Sequence, residues 1–276
     1  EPGMCPICGL IPAHELARFP MEKALGSDLY AVECSVCGHV YLSPRRSREY
    51  SRRLLAGLDS VPYFEKDRPL REFAANRYLE NLERLMAPGR LLDVGCGSGI
   101  FLDVARTRGW TTYGTEFSAS CASSLRERGH FVHEGELSDA SYAGSSFDVI
   151  TSFYVFEHLH DPLGMAQTMK SLLRPGGVAF VVVPNFAMPS TWWHRFRGTM
   201  NKAPIWDVPA HHHYFSAQTL QRLFRKAGFS GGASAGVRGN GLLWARPTWM
   251  RPFLARVLDA FSWLPVSSDV TGLFRA

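Results

Sequence analysis

The chain has 276 residues, of which 46% are hydrophobic and 20% are charged, and its formal net charge is +5 at pH 7. This length suits one sizeable domain with an accessory module, and the composition excludes a disordered or fibrous chain. No apolar run approaches the roughly 20 residues of a membrane-spanning helix. The N-terminal stretch lacks the basic and apolar regions of a signal peptide, so we expect a cytoplasmic location.

Two C-x2-C pairs open the chain, Cys5 with Cys8 in "CPICG" and Cys34 with Cys37 in "CSVCG". Each turn brings two thiolates to one point, and two such turns supply tetrahedral S4 coordination of zinc. His39 is an alternative fourth ligand, although the four cysteines are the preferred set. Because four protein ligands leave no open position, we predict a structural zinc.

The cysteines define a predicted zinc-ribbon-like module over residues 1–44, followed by a helical linker or lid over 45–88. The linker opens with "PRRSREYSRR", which carries five arginines between positions 45 and 53. A solvated helix face is the preferred interpretation, and a site for phosphate or nucleic acid is the alternative.

Beyond the linker, apolar strands alternate with amphipathic segments, which predicts βαβ units and a parallel sheet. The segment "FLDVARTRG" is a predicted helix that ends at Gly109. The first predicted strand opens "RLLDVGCGSG" and runs into a glycine turn. The others are "TTYGTEFS", "HFVHEGEL", "FDVITSFYVF" and, after the turn "RPGG", "GVAFVVVPN".

The C-terminal third is predicted to carry two insertions, at about 186–210 and 240–266. Between them, "SAQTLQRLFRKAGF" predicts a helix with Ser216 as its N-cap and Gly228 as its stop. The segment 249–264 predicts a helix packed on the domain, with a peripheral membrane contact as the alternative. The closing "VTGLFRA" predicts one more strand.

The stretch "LLDVGCGSGIF" places Gly95, Gly97 and Gly99 between a strand and a helix. Such a loop lets a ligand lie against backbone N–H groups at a helix N-terminus. Glu116 ends the next strand, where its carboxylate can accept both hydrogen bonds of a ribose diol. Asp93, just before the loop, can meet an ammonium group or an ordered water.

Together, "LLDVGCGSGIFL", "YGTEFS", "FDVITSFYVFEHLHDP" and "LRPGG" resemble the class I S-adenosylmethionine-dependent methyltransferases. The resemblance covers roughly residues 75–236, with the last strand returning near 270. It implies an α/β, Rossmann-like, mostly parallel seven-stranded sheet with helices on both faces over residues 89–276. The cysteine module joined to such a domain resembles bacterial methyltransferases of sugar and secondary metabolism.

The resemblance also implies where the cofactor binds. The Gly95–Gly99 loop would hold the methionine part, Glu116 the ribose, and the "GEL" at 135–137 the adenine. The further contacts that the resemblance implies are Cys96, Phe117, Glu136, Leu137 and Phe153.

The candidate catalytic residues are Glu157, His158 and His211. Glu157 and His158 lie in "FEHLHDP" at the end of the fourth strand, and a local helix-capping pair is their alternative role. In related O-methyltransferases of the quinone-biosynthesis type the equivalent pair lies near the acceptor. "PAHHHYFS" resembles a recurrent pattern of this group in which His211 is the matching histidine, which makes His212 and His213 insertion-like neighbours.

A catalytic metal is the alternative for these residues. Successive side chains of an extended segment point to opposite faces, so three consecutive histidines are a poor single-metal site. A divalent cation would recruit carboxylates as well, such as Glu157 and Asp207.

The favoured function is methyl transfer to a small-molecule, sugar or lipid-linked acceptor, at a hydroxyl. The insertion after Asn185 would supply an acceptor pocket or lid from its aromatic residues, or else a hydrophobic cover for the sheet edge. These residues are Phe186, Trp192, Trp193, Phe196 and Trp206.

Three alternatives remain: an RNA methyltransferase whose zinc module contacts nucleic acid, a sugar C-methyltransferase, and a non-catalytic cofactor-binding protein. The fourth strand ends in "SFYVFEH" rather than in N/D-P-P-Y, and no Pro-Cys pair is present. Both features count against a nucleic-acid base as the acceptor. The sequence leaves the oligomeric state open.

Overall fold

Two β-sheets organise the protein, one of four strands and one of seven. The computed structural model describes residues 4–11, 14–20, 28–56, 65, 67–234 and 269–276. The predicted insertion at about 240–266, with the helix predicted over 249–264, lies outside the described residues.

The small sheet contains the N-terminal strands β1 (His14–Phe19), β2 (Leu29–Glu33) and β3 (Val40–Ser43). Its fourth strand, β9 (His213–Tyr214), comes from far along the chain and pairs antiparallel with β3. The histidine run is therefore built into the sheet of the cysteine module.

The large sheet has the order β10-β11-β8-β7-β4-β5-β6. Strands β4 to β8 pair in parallel, and β11 runs antiparallel to both of its neighbours. The predicted α/β fold with a mostly parallel seven-stranded sheet is thus confirmed. The strands are β4 (Arg90–Val94), β5 (Thr111–Glu116), β6 (Phe131–Glu134), β7 (Phe147–Phe153), β8 (Leu173–Pro184), β10 (Ser230–Ser234) and β11 (Asp269–Arg275).

Helices cover both faces of this sheet because its central strands are apolar on both sides. Alternate residues of β8 enter two separate buried clusters, one packed on α2, α3 and α4 and the other on α5 and α7. The described helices are α1 (Arg48–Ala56), α2 (Arg68–Glu83), α3 (Ile100–Thr107), α4 (Ala119–Glu127), α5 (Pro162–Leu172), α6 (Pro189–Phe196) and α7 (Ala217–Lys226).

The predicted start and stop of α7 are confirmed. The Ser216 side chain accepts a hydrogen bond from the Thr219 N–H, and the Thr219 hydroxyl bonds the Ser216 backbone N–H in return, which forms a capping box. The helix ends just before Gly228, whose φ of 91° requires glycine.

The predicted turn "RPGG" is an irregularity inside β8 rather than a connection before it. Leu173 pairs with Phe147, and the next partner of β7 is Val178, opposite Val149. Four residues of β8 thus oppose a single residue of β7, and Gly176 takes a φ of 79°.

The carboxyl ends of β4 and β7 meet where the sheet order changes direction, since β5 lies on one side of β4 and β7 on the other. Ligands of open α/β sheets bind in the crevice at such a switch point. Within the described residues, no helix is long and apolar enough to cross a membrane.

Candidate active site

The loop between β4 and α3 has a backbone that only glycines adopt easily. Gly95, Gly97 and Gly99 have φ values of 70°, 54° and 77°. A Cβ added to Gly95 would lie 2.6 Å from Cγ2 of Val155, so the chain that follows β7 packs directly on this loop. A glycine loop at the start of a helix is the kind of backbone against which a ligand can lie closely.

Glu116 ties the loop to the end of β5. One carboxylate oxygen accepts the Gly97 N–H at 2.7 Å and the other accepts the Ser118 N–H at 2.9 Å. A carboxylate has about four acceptor positions, so two remain for a ligand. This donor set fits the ribose diol that the sequence predicts for Glu116.

Asp93 is 2% exposed at the end of β4, and its Oδ1 accepts the Thr151 hydroxyl at 2.7 Å. Burial raises the pKa of Asp93 to about 7; the Thr151 hydrogen bond opposes the rise and the charge of Glu116 adds to it. A buried carboxyl that is half ionised near neutral pH favours a cationic partner, as an ammonium group would be.

Two of the predicted cofactor contacts lie on either side of the loop. Cys96 is 8% exposed, and its sulfur lies 2.7 Å from where a Cβ on Gly114 would stand, so the thiol packs beneath the loop. Only the backbone of Cys96 then faces a ligand. Phe117 is 40% exposed beside Glu116, where its ring can cover one.

The remaining predicted contacts are buried or half-buried. Phe153 packs between Tyr78 and Phe101, with ring centroids 5.2 and 4.7 Å away. Leu137 is 2% exposed in a short 3-10 helix that follows Glu136. Each of these residues lies just beyond the carboxyl end of a parallel strand or at that end.

Beside the glycine loop, the structure brings together the three predicted catalytic residues. Ligand atoms of Glu157, His158 and His211 all lie within 4.8 Å of one another. The two imidazole rings are edge to face, with centroids 4.8 Å apart. Glu157 is 1% exposed, and among the described residues neither of its carboxylate oxygens has a hydrogen-bond partner.

Burial sets the proton positions of this cluster. It raises the pKa of Glu157 to about 8 and lowers that of His211 to about 3, with His158 adding to the second shift. The pKa of His158 is lowered too, chiefly by burial. Its Nδ1 donates to the Ala210 carbonyl at 3.0 Å, which leaves Nε2 as an acceptor. At neutral pH the imidazoles of this cluster are thus neutral, and each keeps one ring nitrogen as a hydrogen-bond acceptor.

Two groups of side chains fit a metal ion. The Sγ atoms of Cys5 and Cys37, and those of Cys8 and Cys34, are 3.4 Å apart, and all four lie within 4.8 Å of one another. A tetrahedral zinc with bonds of about 2.3 Å places its sulfurs about 3.8 Å apart, so the four cysteines fit.

The second group is the candidate catalytic cluster of Glu157, His158 and His211, in which two imidazoles and a carboxylate have the composition of a divalent-cation site with open positions. The predicted extra carboxylate, Asp207, has a side chain that is 65% exposed and lies 3.4 Å from Nε2 of His211. It therefore orients the imidazole from the solvent side.

His212 and His213, the insertion-like neighbours of His211 in the sequence pattern, are both buried, each 1% exposed. His212 Nε2 contacts the Ser51 hydroxyl at 2.9 Å, and Ser51 also contacts His160. Neither Ser51 nor His160 carries a sequence signal, because their meeting depends on how α1 packs.

The aromatic insertion does not form one pocket. Phe186 is 7% exposed, and the half-buried Trp206 has its ring centroid 4.6 Å from that of Tyr214, so both residues pack in the core beneath the small sheet. Trp192, Trp193 and Phe196 of α6 are exposed to solvent. Phe186 and Trp206 therefore fit the alternative interpretation of the insertion as a hydrophobic cover.

The arginine cluster is partly engaged inside the protein. Arg45 donates to the His160 carbonyl at 2.7 Å, and Arg53 pairs with Glu49 one helical turn away. The solvated-face interpretation fits Arg53, whereas Arg45 holds the chain next to the catalytic cluster.

Sequence reasoning missed Tyr154, which follows β7 with a φ of 58°. A non-glycine residue in this region is strained, and such strain is common at functional sites. Its side chain interacts with Asp269 at the start of β11. No sequence pattern marks a positive φ at a tyrosine, so only the structure reveals it.

A glycine loop at the switch point of a parallel sheet, with an acid ending the next strand, is the arrangement of a nucleoside-cofactor site in an open α/β fold. A family model described as a methyltransferase domain matches residues 64–231, and the chain belongs to this family.

Curated relatives include two ubiquinone biosynthesis O-methyltransferases. That of Paracidovorax citrulli is 31% identical over 126 residues, which are 41% of this chain and 51% of the relative. That of Histophilus somni is 29% identical over 116 residues, 38% of this chain and 48% of the relative. The chain thus spans about half the length of the curated relatives it matches.

Solved structures share the fold. An S-adenosylmethionine-dependent methyltransferase of Thermotoga maritima superposes with a TM-score of 0.53 at 18% identity, covering 82% of this chain and 97% of its own. A second such methyltransferase, from Archaeoglobus fulgidus, superposes with a TM-score of 0.54 at 16% identity. The superposition covers 78% of this chain and 99% of the Archaeoglobus chain.

Proposed function

We propose that this enzyme transfers the methyl group of S-adenosylmethionine to a hydroxyl of a small-molecule, sugar or lipid-linked acceptor. The supporting observation is the cluster of Glu157, His158 and His211, which lies beside the glycine loop at the carboxyl edge of the sheet. Such a cluster offers an acceptor hydroxyl a group that can remove its proton.

S-adenosylmethionine, when bound, supplies an electrophilic methyl group on a sulfonium. The chain's own contribution is positioning and proton removal, because an in-line displacement needs little else from the protein. We assign proton removal to His211, which Asp207 orients, with His158 as an acceptor contact. Buried Glu157 holds a proton at neutral pH.

For cofactor binding we propose the loop backbone at Gly95–Gly99, Glu116 for the ribose and Asp93 for the ammonium group. The segment at Glu136 and Leu137 would lie against the adenine, with Phe117 and Phe153 as its aromatic neighbours. Cys96 would contribute through its backbone alone.

The names of the relatives support an oxygen acceptor, since both are called O-methyltransferases. RNA is the weaker alternative, because Arg45 and Arg53 of the basic cluster have partners within the protein.

Treatment of the labelled product with mild alkali tests whether the acceptor atom is a hydroxyl oxygen. A labelled methyl ether from the reaction should survive mild base, whereas release of volatile methanol would indicate a carboxyl acceptor and overturn it.

We expect the affinity for S-adenosylmethionine to fall as the pH drops through about 7. An ammonium ligand binds the ionised Asp93 better than the protonated one, and burial raises the pKa of this carboxyl to about 7. The affinity for S-adenosylmethionine is therefore highest above that pKa and falls about tenfold per pH unit below it. Calorimetry between pH 5.5 and 7.5 measures this slope while the amino group of the ligand stays protonated.

The Asp93→Asn variant is the matched control. It should bind the cofactor more weakly and with no slope over the same pH range. An equal slope in both proteins would assign the titration to another group and contradict the role of Asp93.

We propose a structural zinc at Cys5, Cys8, Cys34 and Cys37. The purified chain should then contain one zinc, and Cys37→Ser should lose it together with several degrees of melting temperature.

Elemental analysis also decides whether a cation occupies the catalytic cluster. A second equivalent that disappears selectively in Glu157→Gln would replace proton removal by His211 with metal-assisted activation of the hydroxyl.

A further inference from the structure

The short strand β9 is shared by the cysteine module and the catalytic cluster. On one side it pairs with β3, and the Leu42 N–H donates to the His212 carbonyl at 3.0 Å. On the other side the His212 N–H donates to the Glu157 carbonyl at 2.7 Å. One peptide segment thus joins the sheet of the module to the loop that carries Glu157 and His158.

Side chains make a second connection between the same two parts. His213 Nε2 lies 2.9 Å from the Leu159 carbonyl, and His213 Nδ1 lies 3.3 Å from His39 Nε2. A carbonyl oxygen only accepts, so His213 carries its proton on Nε2 and accepts at Nδ1. His39 therefore donates to His213, which donates to Leu159.

The first donor of this chain, His39, lies next to the cysteine site. The Cys34 N–H donates to the His39 carbonyl at 2.9 Å, and the Gly38 N–H donates to the Cys34 carbonyl at 2.8 Å. These two bonds close the turn that holds Cys34 and Cys37. The position of His39 is thus fixed by the same turn that brings the thiolates together.

The interface along this path is buried and tightly packed. His39 is 0% and His213 1% exposed, and their rings stack with centroids 5.4 Å apart. Phe215 covers His39 at 4.9 Å. Cys5, Cys34 and Cys37 share one buried cluster with Phe156, which precedes Glu157. Because these groups contact one another directly, a displacement of His39 must be met by its neighbours.

We propose that His39 and His213 are positioning residues through which the cysteine module holds the 157–159 loop. Loss of the module's metal then loosens the acceptor side of the site and leaves cofactor binding intact. The proposal rests on the proposed function, since it takes the cysteines as zinc ligands and Glu157 and His158 as acceptor-side groups.

Hydrogen exchange read by mass spectrometry on the full chain tests the proposal without an acceptor. After chelation of zinc, the amides of His158, Leu159 and His212 should exchange at least about tenfold faster. The strand amides of β4 should keep their protection, and the dissociation constant for S-adenosylmethionine should stay within about twofold. Unchanged protection at 157–159 in metal-free protein that still binds the cofactor would overturn the proposal.

Two substitutions at His213 separate positioning from folding. His213→Leu should expose the same amides although zinc stays bound. His213→Gln should restore protection, because its amide oxygen can accept from His39 and its NH2 group can donate to Leu159. His14→Leu, the same change on the outer strand of the module, should leave 157–159 as in the wild type. Equal protection in His213→Leu and the wild type would contradict the role of His213.

The outcomes also distinguish this inference from the proposed function. Protein purified without zinc would refute the zinc assignment, and the His213 variants would then decide the positioning role alone. If chelation abolishes cofactor binding as well, the metal maintains the whole fold and the selective effect is refuted.

Discussion

His211→Gln is expected to lower the rate of methyl transfer about 100-fold and to leave the dissociation constant for S-adenosylmethionine within about twofold. Glutamine preserves the bulk and a polar tip of the side chain but takes no proton. The imidazole of His211 is neutral at physiological pH because burial lowers its pKa to about 3. It contacts His158 and Asp207.

Initial rates of labelled-methyl transfer into an acceptor-containing extract, with cofactor affinity by calorimetry, give the two quantities. His130→Gln is the matched control, since His130 is also buried but bonds Thr112 and Asp103, away from the catalytic cluster. A His211 variant that loses cofactor affinity and turnover equally would contradict a role as base.

Glu116→Ala should raise the dissociation constant for S-adenosylmethionine at least about 100-fold. In the proposed complex the ribose hydroxyls donate two hydrogen bonds to the charged Glu116 carboxylate, each worth about 1.5–3 kcal/mol, and the variant loses both. It also frees the Gly97 and Ser118 N–H groups that the carboxylate now holds at 2.7 and 2.9 Å. Both losses act on the cofactor side of the crevice.

Calorimetric titration with S-adenosylmethionine measures this effect, with Glu127→Ala as the control on the exposed side of α4. The control should bind as the wild type does. A Glu116 variant with unchanged affinity would show that the carboxylate braces the loop without contacting the cofactor.

The cofactor half of the site could be predicted from the sequence because its determinants are local. Gly95, Gly97 and Gly99 have positive φ values that few other residues adopt, and Glu116 follows at the end of the very next strand. Adjacent parallel strands bring these groups to one edge of the sheet whatever the rest of the chain does. The cysteine pairs were predictable for the same reason, since spacing alone brings each pair together.

The acceptor half depended on contacts between distant segments. The pattern "PAHHHYFS" pointed to His211, yet it gave no indication that His213 would extend the sheet formed by residues 14–43. A strand of two residues is too short to show any periodicity. The burial of His212 and His213 follows from packing against α1 and His39, which no local pattern encodes.

For Glu157, the sequence and the structure each supplied part of the interpretation. Its place in "FEHLHDP" marked it as a candidate, but its chemical state came from the structure, where burial raises its pKa to about 8. Tyr154, three residues earlier, shows the reverse case, because its positive φ has no counterpart in the sequence.

The distribution of the transferred methyl group tests the central claim most directly. Cell extract is incubated with the purified enzyme and methyl-labelled S-adenosylmethionine, then separated into small-molecule, lipid, glycan, RNA and protein fractions. We expect the label in the small-molecule, lipid or glycan fraction, with about 100-fold less from His211→Gln. Label confined to RNA, at equal levels with both proteins, would contradict the proposed acceptor and the role of His211 together.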